Sequence, residues 1–482
     1  MLIIKISKPQ YEYDIHSLVK AFYPEEEIKV VLLKESSSFT SADIFMEIAI
    51  EDKQISVSLQ EKAHVYTILL EQPEDRTVVK NQLKQLLYQV LSEFTGKQLP
   101  WGTLTGIRPT KIPMALLEDG KMDSEILKYM KDTYFISDNK GSLSLDIAKR
   151  EQELLSKIHY KDGYSLYIGI PFCPTTCLYC SFTSYPICAW KARVDEYLDA
   201  LEKEIEFVAK AYKSKILDSI YIGGGTPTTL EAEQLERLLG VIHRSFDCKE
   251  VKEYTVEAGR ADSISRDKLK VLKANGVTRI SVNPQTMKED TLKMIGRQHS
   301  VSQVIEAFHI AREEGFTNIN MDLILGLPGE DENDIANTIM AVKKLSPDSL
   351  TVHSLAIKRG SKLYEWIQKN GILALKNTDS TMEIAAKGAN EMGMQPYYLY
   401  RQKNMAGNFE NVGYARPEKF GIYNILIMEE KQSIVALGAG SISKVVFEDG
   451  RIERTDNVKD VGLYIERIDE MIERKRKLFA LQ

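Results

Sequence analysis

Cysteine is scarce in this 482-residue chain: five in all, three of them inside one dodecapeptide. So few thiols, so unevenly placed, exclude the disulfide framework of a small secreted domain. A reducing, cytoplasmic setting is the expectation. Long apolar runs are absent too, since no stretch approaches the roughly 18 residues that a membrane-crossing helix needs. The first ten residues, MLIIKISKPQ, lack a long apolar region followed by a small-residue cleavage site and do not read as a signal peptide. Positive charge is not in excess: 63 Lys and Arg stand against 69 Asp and Glu, a net charge of −6. That balance argues against a broad nucleic-acid surface, though it says nothing about a local basic pocket. No G-x4-G-K-S/T stretch occurs, so a nucleotide P-loop is excluded. Apolar content of 43% and charged content of 27% are those of an ordinary folded protein, and the length accommodates two to four domains.

What is present begins at residue 171, with PFCPTTCLYCSF. Cys173, Cys177 and Cys180 stand at Cys-x3-Cys-x2-Cys spacing. Thiolates are soft ligands suited to iron–sulfur clusters and zinc. Three of them can hold three irons of a [4Fe–4S] cube and leave the fourth iron open to chelate a small molecule. A structural zinc site wants a fourth ligand and usually paired cysteine arms, and no second pair exists. A chance group of buried cysteines is the other plain reading. The spacing resembles that of the radical S-adenosylmethionine (SAM) superfamily, in which the open iron binds the amino and carboxylate groups of SAM.

From Ser165 onward, strand-like and helix-like segments alternate. SLYIGI (165–170), SIYIGGGT (219–226), YTVEAG (254–259), RISVNPQ (279–285), NINMDLILGLPG (318–329) and SLTVHSLA (349–356) read as strands with helices between them. This pitch predicts an α/β fold, a parallel partial (β/α)6 barrel over 161–360 whose chemistry sits at the C-terminal strand ends. Gly223 to Thr226 form a glycine-rich loop that allows close backbone approach and whose amides could meet an anion; a tight turn is the plain alternative. Glu257 and Gln285 end their strands, Asp322 lies inside an apolar run, and Arg297 follows the fourth strand. Carboxylates in such places want partners. They suit recognition of a polar ligand such as a ribose, and equally a structural ion pair.

Residues 1–160 carry no ligand motif and predict an α+β domain of unassigned role. Its strands are expected at 28–34, 43–51, 54–60 and 64–70, with a hairpin across EIAIEDKQISVSL and a helix over 77–95 stopped by Gly96. Residues 98–112, with Trp101 and Arg108, read as a packed linker, and 122–160 as helical. Residues 361–482 predict a small C-terminal domain covering the substrate. Helix is expected over 361–395 and 457–479, and strand over 397–400, 423–430 and 433–437. Glu466, Arg467, Glu473 and Arg474 make a solvated helix face. LGAGSIS is a glycine-rich turn, and the tyrosines at 397, 398 and 400 suit core packing. Cys188 and Cys248 read as small packed hydrophobes.

The blocks YIGIPFCPTTCLYCSF, GGGTPT, GRQH and MDLILGLPGE, with Glu257 and Gln285, resemble the oxygen-independent coproporphyrinogen III oxidase-like group of radical SAM enzymes. WGTLTGIRPTKI, YYLYRQKNMAGNFENVGYARP and LGAGSISK are most similar to its coproporphyrinogen dehydrogenase branch. The resemblance implies a [4Fe–4S] cluster on Cys173, Cys177 and Cys180. It implies a SAM site lined by Tyr167, Tyr179, Gly224, Gly225, Thr226, Glu257, Gln285, Arg297, Asp322, Ala356 and Ile442. It further implies coproporphyrinogen III, a tetrapyrrole, as substrate, and a reducing partner such as flavodoxin or ferredoxin. A 5′-deoxyadenosyl radical would abstract hydrogen from propionate side chains, which would lose carbon dioxide and become vinyl groups in haem synthesis. Lys358, Arg359, Arg401, Lys403 and Arg416 are candidate cations for the anionic substrate. Two departures are on the chain: Phe182 occupies the place of a fourth family cysteine, and Asn-Pro precedes Gln285 where a glycine is usual. Related haem chaperones share Cys-x3-Cys-x2-Cys-x-Phe, so haem carriage with a retained cluster site is the alternative.

Overall fold

The computed structural model describes every residue except 34–43, 60–64, 107, 183, 359–360, 372–374, 403–404, 406–408 and 482. The candidate cations Arg359 and Lys403, and one end of each of the four expected N-terminal strands, lie outside the described residues. The chain divides into two compact units: Met1–Ala148 with Arg401–Phe409, and Lys149–Tyr400 with Glu410–Gln482.

In the first unit, β1 (Leu2–Ile6), β2 (Ile28–Leu32), β3 (Ile44–Ile50), β4 (Gln54–Leu59) and β5 (Val65–Leu69) form a sheet in the order β2-β1-β3-β4-β5. β3 and β4 make the expected hairpin, with Ile50 opposite Ile55. β4 alternates buried and half-buried residues, the period of a sheet covered on one face. The helix Arg76–Thr95 contributes Leu83, Leu87 and Leu91 to the same core. Asp75 caps it, accepting from Thr77 N at 2.7 Å, and Gly96 ends it at φ 69°, a conformation cheap only for glycine. Trp101 is fully buried, with the Arg401 guanidinium 5.7 Å from its ring.

The second unit holds one eleven-stranded sheet. Its strands are β6 (Gly163–Ile170), β9 (Ile216–Gly224), β10 (Glu253–Glu257), β11 (Arg279–Ser281), β12 (Ile319–Leu325) and β13 (Ser349–Ser354), then β14 (Gln395–Tyr400), β15 (Asn411–Ala415), β16 (Ser433–Leu437), β17 (Ile442–Val446) and β18 (Ile452–Asp456). A separate two-residue pair, β7 (Phe172–Cys173) and β8 (Tyr185–Pro186), sits between β6 and β9 in the chain. The sheet order is β14-β15-β13-β12-β11-β10-β9-β6-β16-β17-β18. The six strands from β6 to β13 are neighbours in chain order and all parallel, the expected partial barrel. Strands buried on both faces read as continuous apolar runs, which is why β6 and β12 stand out in the sequence. Side-chain caps start several intervening helices, with Ser265, Ser300 and Asp331 each accepting from amides of the first turn.

Residues 361–482 supply strands to both sides of the same sheet: β16 lies parallel beside β6, and β15 antiparallel beside β13. The strand expected over 423–430 is instead a helix, Ile422–Glu429. Eight apolar-rich residues do not distinguish the two by periodicity. Glu253 decides it, because its carboxylate accepts from Ile422 N at 2.6 Å and Tyr423 N at 3.4 Å, satisfying the amides of a helix start. The helix expected over 361–395 is two, Lys362–Asn370 and Asp379–Glu391, and that over 457–479 is also two, Val461–Glu466 and Ile468–Phe479.

A candidate site around the cysteine loop

β6 delivers the backbone to the C-terminal end of the barrel, where the cysteines follow at once. Phe172–Cys173 pairs with Tyr185–Pro186, and Tyr185 N donates to Pro171 O at 2.8 Å, so the segment between them is a loop closed at its base. Neighbouring loops pin its flank. Leu178 N donates to Ile295 O at 2.9 Å, Thr175 Oγ1 to Gly296 O at 2.8 Å, and Leu363 N to Leu178 O at 2.8 Å.

Cys177 is buried, and Cys173 and Cys180 are half-buried. Burial pushes the Cys173 thiol up to about 11, and the nearby Cys180 and Cys177 add to that. The Cys180 thiol is raised by burial, with Cys177 contributing. Cys173 and Cys180 therefore each sense the neighbouring thiols. Among the described residues, no three thiol, imidazole or carboxylate groups converge on a single ion. Three thiolates on one loop are the donor set that three irons of a [4Fe–4S] cube would take. Cys188 is exposed and Cys248 half-buried, outside the loop.

The glycine-rich loop packs directly beneath. Gly225 N donates to Ile170 O at 2.8 Å and Thr226 N to Phe172 O at 2.7 Å, while Thr226 Oγ1 lies 3.5 Å from Cys173 Sγ. The first amide serves the end of β6 and the second serves β7, and neither is left for an anion, contrary to one of the two expectations. A Cβ on Gly225 would stand 2.4 Å from Phe172 O, so glycine is needed there for backbone contact.

Inside the barrel, strand register brings the next residues together. Tyr167 on β6 is opposite Tyr221 on β9, and both stack with Tyr423, Tyr221 at a centroid distance of 4.4 Å. Tyr221 Oη donates to Glu257. Burial raises the Glu257 carboxyl to about 7, with Asp322 adding and the Tyr221 hydroxyl opposing. Asp322 is held below its usual value: burial would raise it, but His353 and the 2.7 Å bond from Asn320 Nδ2 outweigh that. The two carboxyls are thus pushed in opposite directions, Glu257 up and Asp322 down. Gln285 adopts φ 68°, uncommon for a side chain of its size and a frequent mark of function. Its Oε1, like Arg297 Nε, is buried without a hydrogen-bond partner among the described residues. Arg297 is otherwise anchored, donating to Asn283 O at 2.6 Å and Tyr179 Oη at 3.1 Å. Orphaned buried groups of both kinds suit a polar ligand.

The structure thus gathers Tyr167, Tyr179, Gly224, Gly225, Thr226, Glu257, Gln285, Arg297 and Asp322 around the strand ends next to the cysteine loop. Ala356 follows the end of β13, and Ile442 opens β17, 52% exposed; neither has a polar side chain to join the set. Of the described candidate cations, Lys358 lies by the loop, 5.4 Å from the Phe182 ring, which is 71% exposed. Arg416 pairs with Asp348 and Ser346 at the opposite, N-terminal end of β13. Arg401 belongs to the first unit.

Sequence reasoning missed Tyr221, Asn320, His353 and Arg260. Asn320 lies two positions from Asp322 on β12 and Tyr221 is in register with Tyr167 across β6 and β9, whereas His353 on β13 shares no such period with a residue that it did find. Arg260 follows Glu257 by three residues in a loop, where no period applies.

Residues 167–342 match the model of the radical SAM superfamily. The chain is 42% identical over 404 residues to the oxygen-independent coproporphyrinogen-III oxidase-like protein HemZ of Bacillus subtilis, covering 83% of this chain and 81% of that protein. It is 39% identical over 244 residues to the haem chaperone HemW of the same species, covering 50% of this chain and 63% of HemW. Among solved structures, coproporphyrinogen III oxidase (HemN) from Escherichia coli, described as a radical SAM enzyme, superposes with a TM-score of 0.52 at 25% identity, over 67% of this chain and 72% of that one.

Proposed function

Since the chain belongs to the radical SAM superfamily, in the HemZ-like group of oxygen-independent coproporphyrinogen-III oxidase-like proteins, we propose that it oxidatively decarboxylates coproporphyrinogen III to protoporphyrinogen IX. The family's cofactors are a [4Fe–4S] cluster and SAM. When bound, they supply a 5′-deoxyadenosyl radical able to remove a hydrogen atom from a propionate β-carbon. For each of two propionates, that C–H bond and the bond to the carboxylate break, carbon dioxide leaves, one electron passes to an acceptor, and a vinyl group remains.

In this reading Cys173, Cys177 and Cys180 hold the cluster. Gly224, Gly225 and Thr226 carry the backbone that meets the methionine part of SAM. Asp322, already ionised, accepts from the ribose hydroxyls, and the orphaned Gln285 Oε1 and Arg297 Nε find their partners on the same ligand. Tyr167, Tyr179, Ala356 and Ile442 line the remainder. Segment 361–482 covers the substrate, and Lys358 beside the exposed Phe182 meets a propionate carboxylate. A closed, dry cavity keeps so strong a radical from side reactions.

The observation that supports the reading is the reach of the HemZ similarity, 404 residues against the 176 of the superfamily match. A second reading, haem carriage with a retained cluster, draws on the 39% identity to HemW. The test is anaerobic turnover of reconstituted protein with SAM, reductant and coproporphyrinogen III, read by mass spectrometry. Stepwise loss of two carboxyl groups is expected. Cluster-loaded protein that decarboxylates nothing and binds haem tightly would overturn the proposal in favour of carriage.

A further inference from the structure

Arg260 leaves the end of β10 and turns back beneath the cysteine loop, where it is 3% exposed. Two of its nitrogens are taken by one carboxylate: Nε donates to Asp262 Oδ1 at 3.0 Å and Nη2 to Asp262 Oδ2 at 2.6 Å. This fork fixes the plane of the guanidinium. The remaining nitrogen, Nη1, is thereby aimed at the loop. It donates to Thr175 Oγ1 at 2.8 Å, to Thr175 O at 3.2 Å and to Cys177 Sγ at 3.8 Å. Behind Asp262, the buried His299 places Nδ1 3.5 Å from Asp262 Oδ1. None of Arg260, Asp262 and His299 belongs to the cluster or SAM set described above.

A guanidinium cannot shed its proton, so the group beside Cys177 is a permanent cation. Cys177 is itself 8% exposed, and solvent does little to screen a charge there. We infer that Arg260 is a positioning residue that sets the reduction potential of the cluster through an N–H···S bond to Cys177, with Asp262 tempering its charge. The physical reason is a difference in charge. Reduction adds one negative charge to the cluster and its thiolates. A nearby donor cation stabilises the reduced form more than the oxidised one and raises the potential, whereas a nearby carboxylate does the reverse. The Thr175 bonds give the same side chain a mechanical part, holding the loop, and the test must tell the two apart.

The test is a potentiometric titration of the reconstituted cluster, followed by electron paramagnetic resonance without substrate and normalised to bound iron. Arg260→Leu is expected to lower the midpoint potential. Asp262→Asn keeps the guanidinium and removes the countercharge, and is expected to raise it. Opposite signs distinguish an electrostatic role from a mechanical one, which would shift both variants alike or neither. Unchanged midpoints, or shifts of the same sign, overturn the inference. If Arg260→Leu loads no iron, the Asp262→Asn midpoint decides alone: raised in support, unchanged or lowered against. The measurement needs no tetrapyrrole, so its outcome is independent of the proposed reaction.

Discussion

Lys475 and Glu204 make a fully buried ion pair, both 0% exposed, with Nζ 2.7 Å from Oε1. Glu204 also accepts from Gly438 N at 2.8 Å, Asn457 Nδ2 at 2.8 Å and Tyr464 Oη at 2.6 Å, and Lys475 donates to Asn457 Oδ1 at 2.8 Å. The network holds the Gly438–Ala439 turn against the end of β6. Tyr197 Oη donates to Gly169 O at 2.6 Å and accepts from Ala439 N at 3.1 Å, just upstream of the cysteine loop. Replacing Lys475 with Met strands a carboxylate among three neutral donors, and breaking a buried pair in this way costs about 3–5 kcal/mol. Glu204→Gln strands the ammonium at a similar cost. The double variant removes both charges and keeps an amide oxygen for Gly438 N and Tyr464 Oη, while Asn457 Nδ2 retains its bond to Gly438 O at 2.9 Å. It should lose much less than the sum of the singles, with a coupling of about 2–3 kcal/mol. Hydrogen exchange of peptides from 433–446 reads the local opening free energy. A loss below about 1 kcal/mol in Lys475→Met, or additive singles, would refute the reasoning.

Cys173→Ser, Cys177→Ser and Cys180→Ser should each abolish the iron–sulfur absorption after reconstitution, while the exposed Cys188→Ser should retain it, as iron content and visible spectra will show. Gly225→Ala drives a methyl into Phe172 O and should cost about 1–3 kcal/mol by denaturant titration, with poorer cluster loading. Glu151 is buried beside Glu429, and burial first, then Glu429, raises its carboxyl well above the usual range. An acid raised in the fold favours folding fully below the unfolded carboxylate value of about 4.3 and loses that contribution as pH rises through the folded one. Glu151→Gln should therefore stabilise the protein more at pH 8 than at pH 5, and an equal effect at both would contradict the shift.

The barrel was legible in the sequence because parallel strands buried on both faces leave continuous apolar runs between amphipathic helices. The cysteine loop was legible because its chemistry depends on local spacing. The helix Ile422–Glu429 was not, since its identity turns on Glu253, distant in the chain, capping its start. Lys475 was hidden in a charge-rich helix beside the exposed Glu473 and the half-buried Arg474, and nothing local marks which charge meets Glu204. The use of the Gly225 and Thr226 amides was likewise a matter of the partner strand, and Arg260 became visible only once the loops after β6 and β10 lay side by side.

The central claim is that a radical made at the cysteine loop takes hydrogen from a propionate of the substrate. Coproporphyrinogen III deuterated at the propionate β-carbons, turned over anaerobically with unlabelled SAM, tests it most directly through the mass of the 5′-deoxyadenosine released. The account predicts one deuterium in that product for each carboxyl group lost. Unlabelled 5′-deoxyadenosine, or none from cluster-loaded protein, would contradict it.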